Sequence, residues 1–197
     1  MTKTLYLMRH GQTLFNKRHR IQGWCDAPLT DLGVYQAQVA GQYFKNAGIT
    51  FDAAYSSTSE RACDTLEIVT NGSLPYQRVK GLKEWNFGTF EGESEDLNPP
   101  LPYEDFFVTY GGESQDQVRE RMAATILQLM QETKGKSVLM VSHGGAMANF
   151  ARTWEDNWRL DNLGHMTNCG ILKFSFEDDQ FYLEEAIGHD FSGWEEK

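Results

Sequence analysis

The chain has 197 residues, 40% of them hydrophobic and 23% charged, enough to bury a core without disulfides or a structural metal. Its 18 basic residues against 28 acidic ones leave a net charge of −10, which excludes broad, sequence-independent binding to nucleic acid or to an anionic membrane surface. The charge is uneven, however: no acidic residue precedes Asp26, whereas Lys3, Arg9, Lys17, Arg18 and Arg20 all do, so a local anion site is expected.

In chain order, Leu5-Tyr6-Leu7-Met8 is a short, unalternating apolar run that stops at Arg9-His10-Gly11, the pattern of a strand covered on both faces. It is too short for a secretory signal, and no stretch reaches transmembrane length. Three cysteines, Cys25, Cys63 and Cys169, without a C-x-x-C pair, fit a reducing compartment, and a cytoplasmic protein is expected. Leu32, Tyr35, Val39 and Tyr43 recur at helical spacing between a Thr30 cap and a Gly48 stop. Asp52 to Ser56 is a weaker strand. Ser57-x-x-Glu60 reads as a capping box opening a helix with Arg61 in its first turn.

Residues 86–113 break the alternation. They combine Pro99, Pro100, Pro102, Gly88, Gly92, Gly111 and Gly112 with Phe90, Tyr103, Phe106, Phe107 and Tyr110, which predicts an inserted lid with a short aromatic helix. A second box, Ser114-x-x-Gln117, opens a helix with Val118, Met122, Ile126 and Leu129 on its core stripe. Val138 to Val141 is another apolar run, ending at Ser142-His143-Gly144-Gly145, and a helix is expected from Met147 through Trp158. Ile171 to Phe176 and Phe181 to Leu183 flank Glu177-Asp178-Asp179-Gln180, a hairpin by its turn chemistry. The order predicts an α/β three-layer sandwich: a mainly parallel central sheet, helices on both faces, and a single domain over residues 1–197 with the lid at about 86–113.

Two strands end in the same way, as an apolar run followed by His and Gly. In open α/β sheets ligands bind beyond the carboxyl ends of the strands, so His10 and His143 are expected together there. Arg61 stands in a helical first turn, where the dipole disfavours a cation by ~0.3–1 kcal/mol unless something anionic lies in front. With Arg9 it supplies two planar forks suited to a phosphoryl group. No H-x-x-x-H or paired acidic motif accompanies His10 and His143, and His19, His165 and His189 lack partner ligands, so no metal is expected. The P-loop pattern is absent as well.

Arg9-His10-Gly11-Gln12-Thr13, Asn16, Gln22-Gly23-Trp24 and Pro28-Leu29-Thr30-x-x-Gly33-x-x-Gln36-Ala37 resemble the histidine phosphatase superfamily, which includes phosphoglycerate mutase-like enzymes. Ser56-Ser57-x-x-x-Arg61-Ala62-x-x-Thr65, Leu82-Lys83-Glu84-x-x-x-Gly88-x-x-Glu91-Gly92 and Val141-Ser142-His143-Gly144-Gly145 follow in the order of that family's later motifs. The resemblance implies His10 as the phosphoryl-accepting nucleophile, Arg9, Arg61 and His143 as a phosphate clamp, and Glu84 as proton donor. It further implies Asn16 and Gln22, with the Gln22-Gly23 turn, as accessory phosphate ligands. The backbone N–H of Gly144 adds an anion contact at a helix start, and no cofactor is implied. Arg9 and Arg61 disfavour a second positive charge and keep the attacking imidazole neutral. Leu82, Trp85 and Phe87 predict a partly apolar setting for Glu84, in which a carboxyl can hold a proton.

Residues 86–113 contain no Lys or Arg but seven acids: Glu91, Glu93, Glu95, Asp96, Glu104, Asp105 and Glu113. Such a lid is ill suited to a second phosphate or a carboxylate and suits a neutral or apolar leaving group stacked on Trp85, Tyr103 or Phe106. The expectation is therefore a metal-independent phosphomonoesterase acting on small phosphorylated metabolites, while Lys17-Arg18-His19-Arg20 steers anions to the pocket. The alternatives are phosphoglycerate mutase activity, a non-catalytic phosphate- or phosphoprotein-binding module, and a phosphohistidine phosphatase acting on a partner protein. Oligomeric state stays open.

Overall fold

The Leu5–Met8 run forms the middle of β1 (Lys3–Arg9) in the computed structural model, which describes residues 2–164 and 166–195. Successive side chains of a strand point to opposite faces. Leu5 and Leu7 enter one apolar cluster while Tyr6 and Met8 enter another, so β1 is covered on both sides as its unalternating sequence requires. The other strands are β2 (Ala53–Ser57), β3 (Gln77–Val79), β4 (Ser137–Ser142), β5 (Ile171–Glu177) and β6 (Gln180–Ile187). They form a six-stranded sheet in the order β3-β2-β4-β1-β5-β6. The β3-β2-β4-β1 portion is parallel, and β5 and β6 add an antiparallel hairpin beside β1. Asp178 and Asp179 take φ of 51° and 60° at its tip, the two positive angles of a primed hairpin turn.

Helices α2 (Asp31–Asn46) and α3 (Glu60–Val69) cover one face; α4 (Gln115–Glu132) and α5 (Gly144–Thr153) cover the other. This is the expected mixed α/β sandwich. The pairing that matters for the site is β1 with β4, in which Arg9 stands opposite Ser142. Both strands end at the same edge, and the His10 N–H donates to the Ser142 carbonyl at 3.1 Å, setting His10 beside His143.

Several elements differ from expectation. The buried face of α2 is Gly33, Gln36, Ala37, Ala40 and Phe44; Leu32, Tyr35, Val39 and Tyr43 lie only half-buried at its flanks. Close approach selects small residues: a Cβ on Gly33 would stand 2.0 Å from the Gln12 carbonyl oxygen, and one on Gly41 would stand 2.7 Å from that of Val69. Thr30 caps α2 and Ser114 with Gln117 forms a full capping box on α4, both as expected. The box at Ser57 does not form. Ser57 ends β2, its hydroxyl is taken by the Ser59 N–H and by His143, and α3 starts from Ser59 without a side-chain cap.

Helix α5 begins at Gly144, directly after β4, and gives way beyond Thr153 to a 3-10 turn, Glu155–Asn157. The short helix α1 (Leu14–Lys17), with its own Thr13–Asn16 capping box, and the edge strand β3 carry no periodic signal in the sequence. Within 86–113 the backbone makes 3-10 turns at Gly88–Phe90, Glu95–Leu97 and Phe106–Tyr110 around the fully buried Phe107. Trp85, Phe87, Phe90, Tyr103 and Phe106 pack about that ring.

Gly33→Ala tests how tightly α2 holds the Gln12 loop beside the site. In an open helix the change stabilises by up to ~1 kcal/mol; here the added methyl meets a carbonyl oxygen, and a loss of about 1–3 kcal/mol is expected. Urea denaturation measures it, and a variant as stable as the parent would show that α2 can shift freely.

Candidate active site

Parallel pairing of β1 with β4 puts the His10 and His143 rings 5.2 Å apart, centroid to centroid. Arg61, fully buried in the first turn of α3, bridges them. Its Nε–H donates to His10 Nε2 at 3.3 Å and its Nη2 to His143 Nδ1 at 2.9 Å. The remaining hydrogens go to the carbonyls of Gly23 and Cys25 and to Asp26 Oδ1, each at 2.9 Å. A guanidinium only donates, so both ring nitrogens facing it must be acceptors. The tautomers follow: His10 Nδ1–H donates to the Gly11 carbonyl at 2.7 Å, leaving the Nε2 lone pair towards Arg61, and His143 Nε2–H donates to Ser57 Oγ at 2.8 Å.

Both rings are held neutral. Burial is the largest cause pushing the His10 pKa well below its ordinary value, followed by the charges of Arg61 and Arg9. His143 is likewise pushed well down, by burial first and then by Arg61, His10, Lys83 and Arg121.

Arg9 donates from Nη1 to the Met166 carbonyl at 2.6 Å, while its Nε is buried without a partner. A Cβ on Gly144 would stand 3.2 Å from that Nε, so the glycine lets the guanidinium lie against the start of α5. Gln22 accepts the Thr13 hydroxyl at 2.6 Å and has a buried, unpartnered Nε2. A buried donor left unpaired costs ~1–3 kcal/mol, so each of these two groups favours an added acceptor. Asn16 caps α1 through its Oδ1, which also receives the Asn168 amide at 3.4 Å; the same amide donates to the His10 carbonyl at 3.1 Å. Gly23 plays a supporting part. Its N–H donates to Glu91 and its carbonyl serves Arg61, which leaves no backbone donor there for an anion.

Glu84 is buried at the N-terminus of α5, where its carboxyl group accepts from the N–H groups of Trp85 (2.9 Å), Gly145 (2.9 Å) and Ala146 (2.7 Å). Backbone donors hold it where the sequence predicted an apolar setting. A cavity of about 1010 Å³ opens beside Arg9, Glu84 and Gly144. Trp85 and Tyr103 line it, whereas Phe106 packs on Phe90 and Tyr110 instead. The lack of Lys and Arg in 86–113 does not leave this cavity without cations, because Arg119 of α4 and Arg152 of α5 line it too.

Sequence reasoning missed Asp26, Ser57, Thr65, Glu91, Arg121 and Asn168 as supports of the site. Ser57, Thr65 and Glu91 stand inside the motifs; the others carry no local signal. The Thr65 hydroxyl accepts the Gly11 N–H and donates to the Arg61 carbonyl, tying the β1 end to α3. The run Lys17-Arg18-His19-Arg20 is exposed, with His19 facing Glu95 at 3.5 Å. Among the described residues no cluster of three or more His, Cys, Asp or Glu could hold a metal ion, and no helix is long and apolar enough to cross a membrane. His165 lies outside the described residues.

Residues 5–187 match the family model of the histidine phosphatase superfamily, branch 1. The chain belongs to that superfamily. It is 34% identical to the probable phosphoglycerate mutase GpmB of Yersinia pestis, over 96% of this chain and 89% of the relative. Among solved structures, a phosphoglycerate mutase from Bacillus anthracis matches with a TM-score of 0.81 and 29% identity, covering 93% of this chain and 92% of the other. A phosphoserine phosphatase from Entamoeba histolytica, in complex with 3-phosphoglyceric acid, matches with a TM-score of 0.75 and 28% identity, covering 95% and 98%. Members of the superfamily are thus phosphatases or mutases, both of which move a phosphoryl group.

The buried neutral histidines make stability pH-dependent. An unfolded histidine titrates near pH 6.5, and the folded-state values of His10 and His143 lie well below that. Below about pH 6.5 the unfolded chain therefore binds more protons, and stability present above that pH is lost as pH falls. Each ring contributes up to about 1.4 kcal/mol per pH unit. Urea denaturation between pH 7 and 5 should show this slope, smaller by about one proton in His10→Gln; a flat profile would contradict the neutral pair.

Proposed function

We propose that the chain is a phosphomonoesterase that hydrolyses small phosphorylated metabolites through a phosphohistidine on His10. The observation that carries this reading is the lone pair on His10 Nε2, fixed by the Nδ1–H bond to Gly11 and guarded by the Arg61 Nε–H. When Nε2 attacks phosphorus, the P–O bond to the leaving alcohol breaks and that lone pair is consumed. The Arg61 Nε–H then loses its acceptor and turns to a phosphoryl oxygen. The interaction is therefore stronger in the transition state than in the ground state, the condition for lowering the barrier. The unpartnered Arg9 Nε and Gln22 Nε2 are supplementary donors for the same oxygens. Glu84 supplies the proton to the leaving oxygen, and its carboxylate then takes one from the water that attacks the phosphohistidine. Inorganic phosphate leaves and the imidazole is again neutral.

The acidic segment 86–113, acting as a lid over the cavity, supports water over a second phosphorylated acid as acceptor. Three free cysteines, Cys25, Cys63 and Cys169, support a reducing, cytoplasmic setting. A candidate nucleophile, His10, and a candidate proton donor, Glu84, are both present, which weighs against a module that binds phosphate without turnover. The mutase reading is favoured by Arg119 and Arg152 on the cavity wall, which suit a carboxylate, and by the names of the relatives.

Hydrolysis of an aryl phosphate with excess chelator decides between these readings. The rate is expected to survive chelation and to fall by at least about 10³-fold in His10→Ala. An acid-labile radiolabel from substrate phosphate should appear on the wild type and not on the variant. A surviving rate in His10→Ala would overturn the nucleophile, and isomerisation of phosphoglycerates faster than their hydrolysis would make the chain a mutase.

A further inference from the structure

Glu84 lies in neither a helix nor a strand. It follows the 3-10 turn Lys80–Leu82, so no ladder of main-chain bonds fixes it. Its carboxyl group is held from the front by α5, through Gly145 and Ala146. Its backbone is held from behind by Arg121 of α4, which commits all its donors to this stretch of chain and to Glu113. Nη1 donates to the carbonyls of Gly81 at 2.9 Å and Lys83 at 2.8 Å, and Nη2 to the carbonyl of Glu84 itself at 3.1 Å. Nε and Nη2 also grip the two carboxylate oxygens of Glu113, each at 2.8 Å.

Glu113 continues the brace on the far side of Glu84. Its carboxylate accepts the Asn86 N–H and its carbonyl the Trp85 indole N–H, while its own N–H donates to the Asn86 carbonyl. A single planar fork rooted in a helix thus spans the chain from Gly81 to Asn86. The one further bond to the Glu84 carbonyl comes from the Trp24 indole, at 3.0 Å.

We propose that Arg121, braced by Glu113, is the positioning residue that sets the Glu84 carboxyl group at the leaving oxygen, an inference that rests on Glu84 being the proton donor. Arg121 has no hydrogen bond to the carboxyl group and acts only through the backbone. Lysine in its place keeps the charge but offers one nitrogen in place of a rigid fork, and cannot reach carbonyls and carboxylate together. A misplacement of about 1 Å is enough to cost on the order of 10²-fold in rate.

A leaving-group comparison separates positioning from general damage. The rate constant kcat/KM, which reports the steps up to phosphoryl transfer, is measured for para-nitrophenyl phosphate, whose leaving group needs no proton, and for glycerol phosphate, whose alkoxide does. Glu84→Gln is expected to lose about 10²–10⁴-fold on the alkyl ester and less than about tenfold on the aryl ester. Arg121→Lys and Glu113→Gln, checked as folded by thermal unfolding, should lose about 10- to 100-fold on the alkyl ester and stay within about threefold on the aryl ester.

Equal losses on both esters, or no loss on the alkyl ester, would overturn the assignment. If Arg121→Lys does not fold, Glu113→Gln decides by the same criterion. A split in Glu84→Gln without one in the other variants sinks the positioning role alone. No split in Glu84→Gln itself removes the proton donor, and this inference with it.

Discussion

A guanidinium taken fully out of water costs several kcal/mol unless each of its hydrogens finds an acceptor. Arg61 is fully buried, and satisfying it organises everything around it. Two imidazoles must turn an unprotonated nitrogen inward, and the loop through Gly23, Cys25 and Asp26 must fold over the start of α3 to bring two carbonyls and a carboxylate into reach. Only one of those acceptors is charged, and the Asp26 side chain remains 30% exposed. The positive charge of Arg61 is therefore incompletely neutralised inside the protein, and with Arg9 it leaves a field that favours a phosphoryl group and opposes protonation of His10.

Carboxyl groups occupy several backbone donors around the site. Glu91 accepts from the N–H groups of Gly23, Trp24, Cys25 and Phe87, pinning the loop that carries the acceptors of Arg61. Glu84 does the same at the first turn of α5, taking Gly145 and Ala146. Arg9 Nε and Gln22 Nε2 remain buried side-chain donors without a partner.

The parts of this arrangement legible in the sequence are those with a local signature. Unalternating runs at Leu5–Met8 and Val138–Val141 declare doubly covered strands, and their shared His-Gly endings put both histidines at one sheet edge. Capping chemistry at Thr30 and Ser114 marks two helix starts correctly. The box at Ser57 misleads because its hydroxyl is claimed by His143, a residue 86 positions away. On α2, hydrophobicity points to Leu32 and Val39, but the buried face is chosen by the room available against the Gln12 loop and α3, which favours glycine and alanine. Asp26 and Arg121 are invisible for a related reason: Asp26 meets Arg61, and Arg121 meets the carbonyls of Gly81, Lys83 and Glu84, across roughly thirty or more positions, and nothing in the neighbouring sequence records those encounters.

The same reasoning explains why the charge of residues 86–113 is a poor guide to the cavity they border. Helix α4 leads into β4 and α5 leads out of it, so both helices start at the strand-end edge that carries His10 and His143. Gln115 and Asn149 join them there by a hydrogen bond of 3.1 Å. Arg119 and Arg152 follow one helical turn further along each helix and face the same space. The cavity consequently carries these arginines together with Glu104, Asp105 and Asp116. An apolar group in this cavity would desolvate those charges without pairing them, at a free-energy cost. The cavity wall is therefore charged on its α4 and α5 side as well as aromatic on the side of Trp85 and Tyr103.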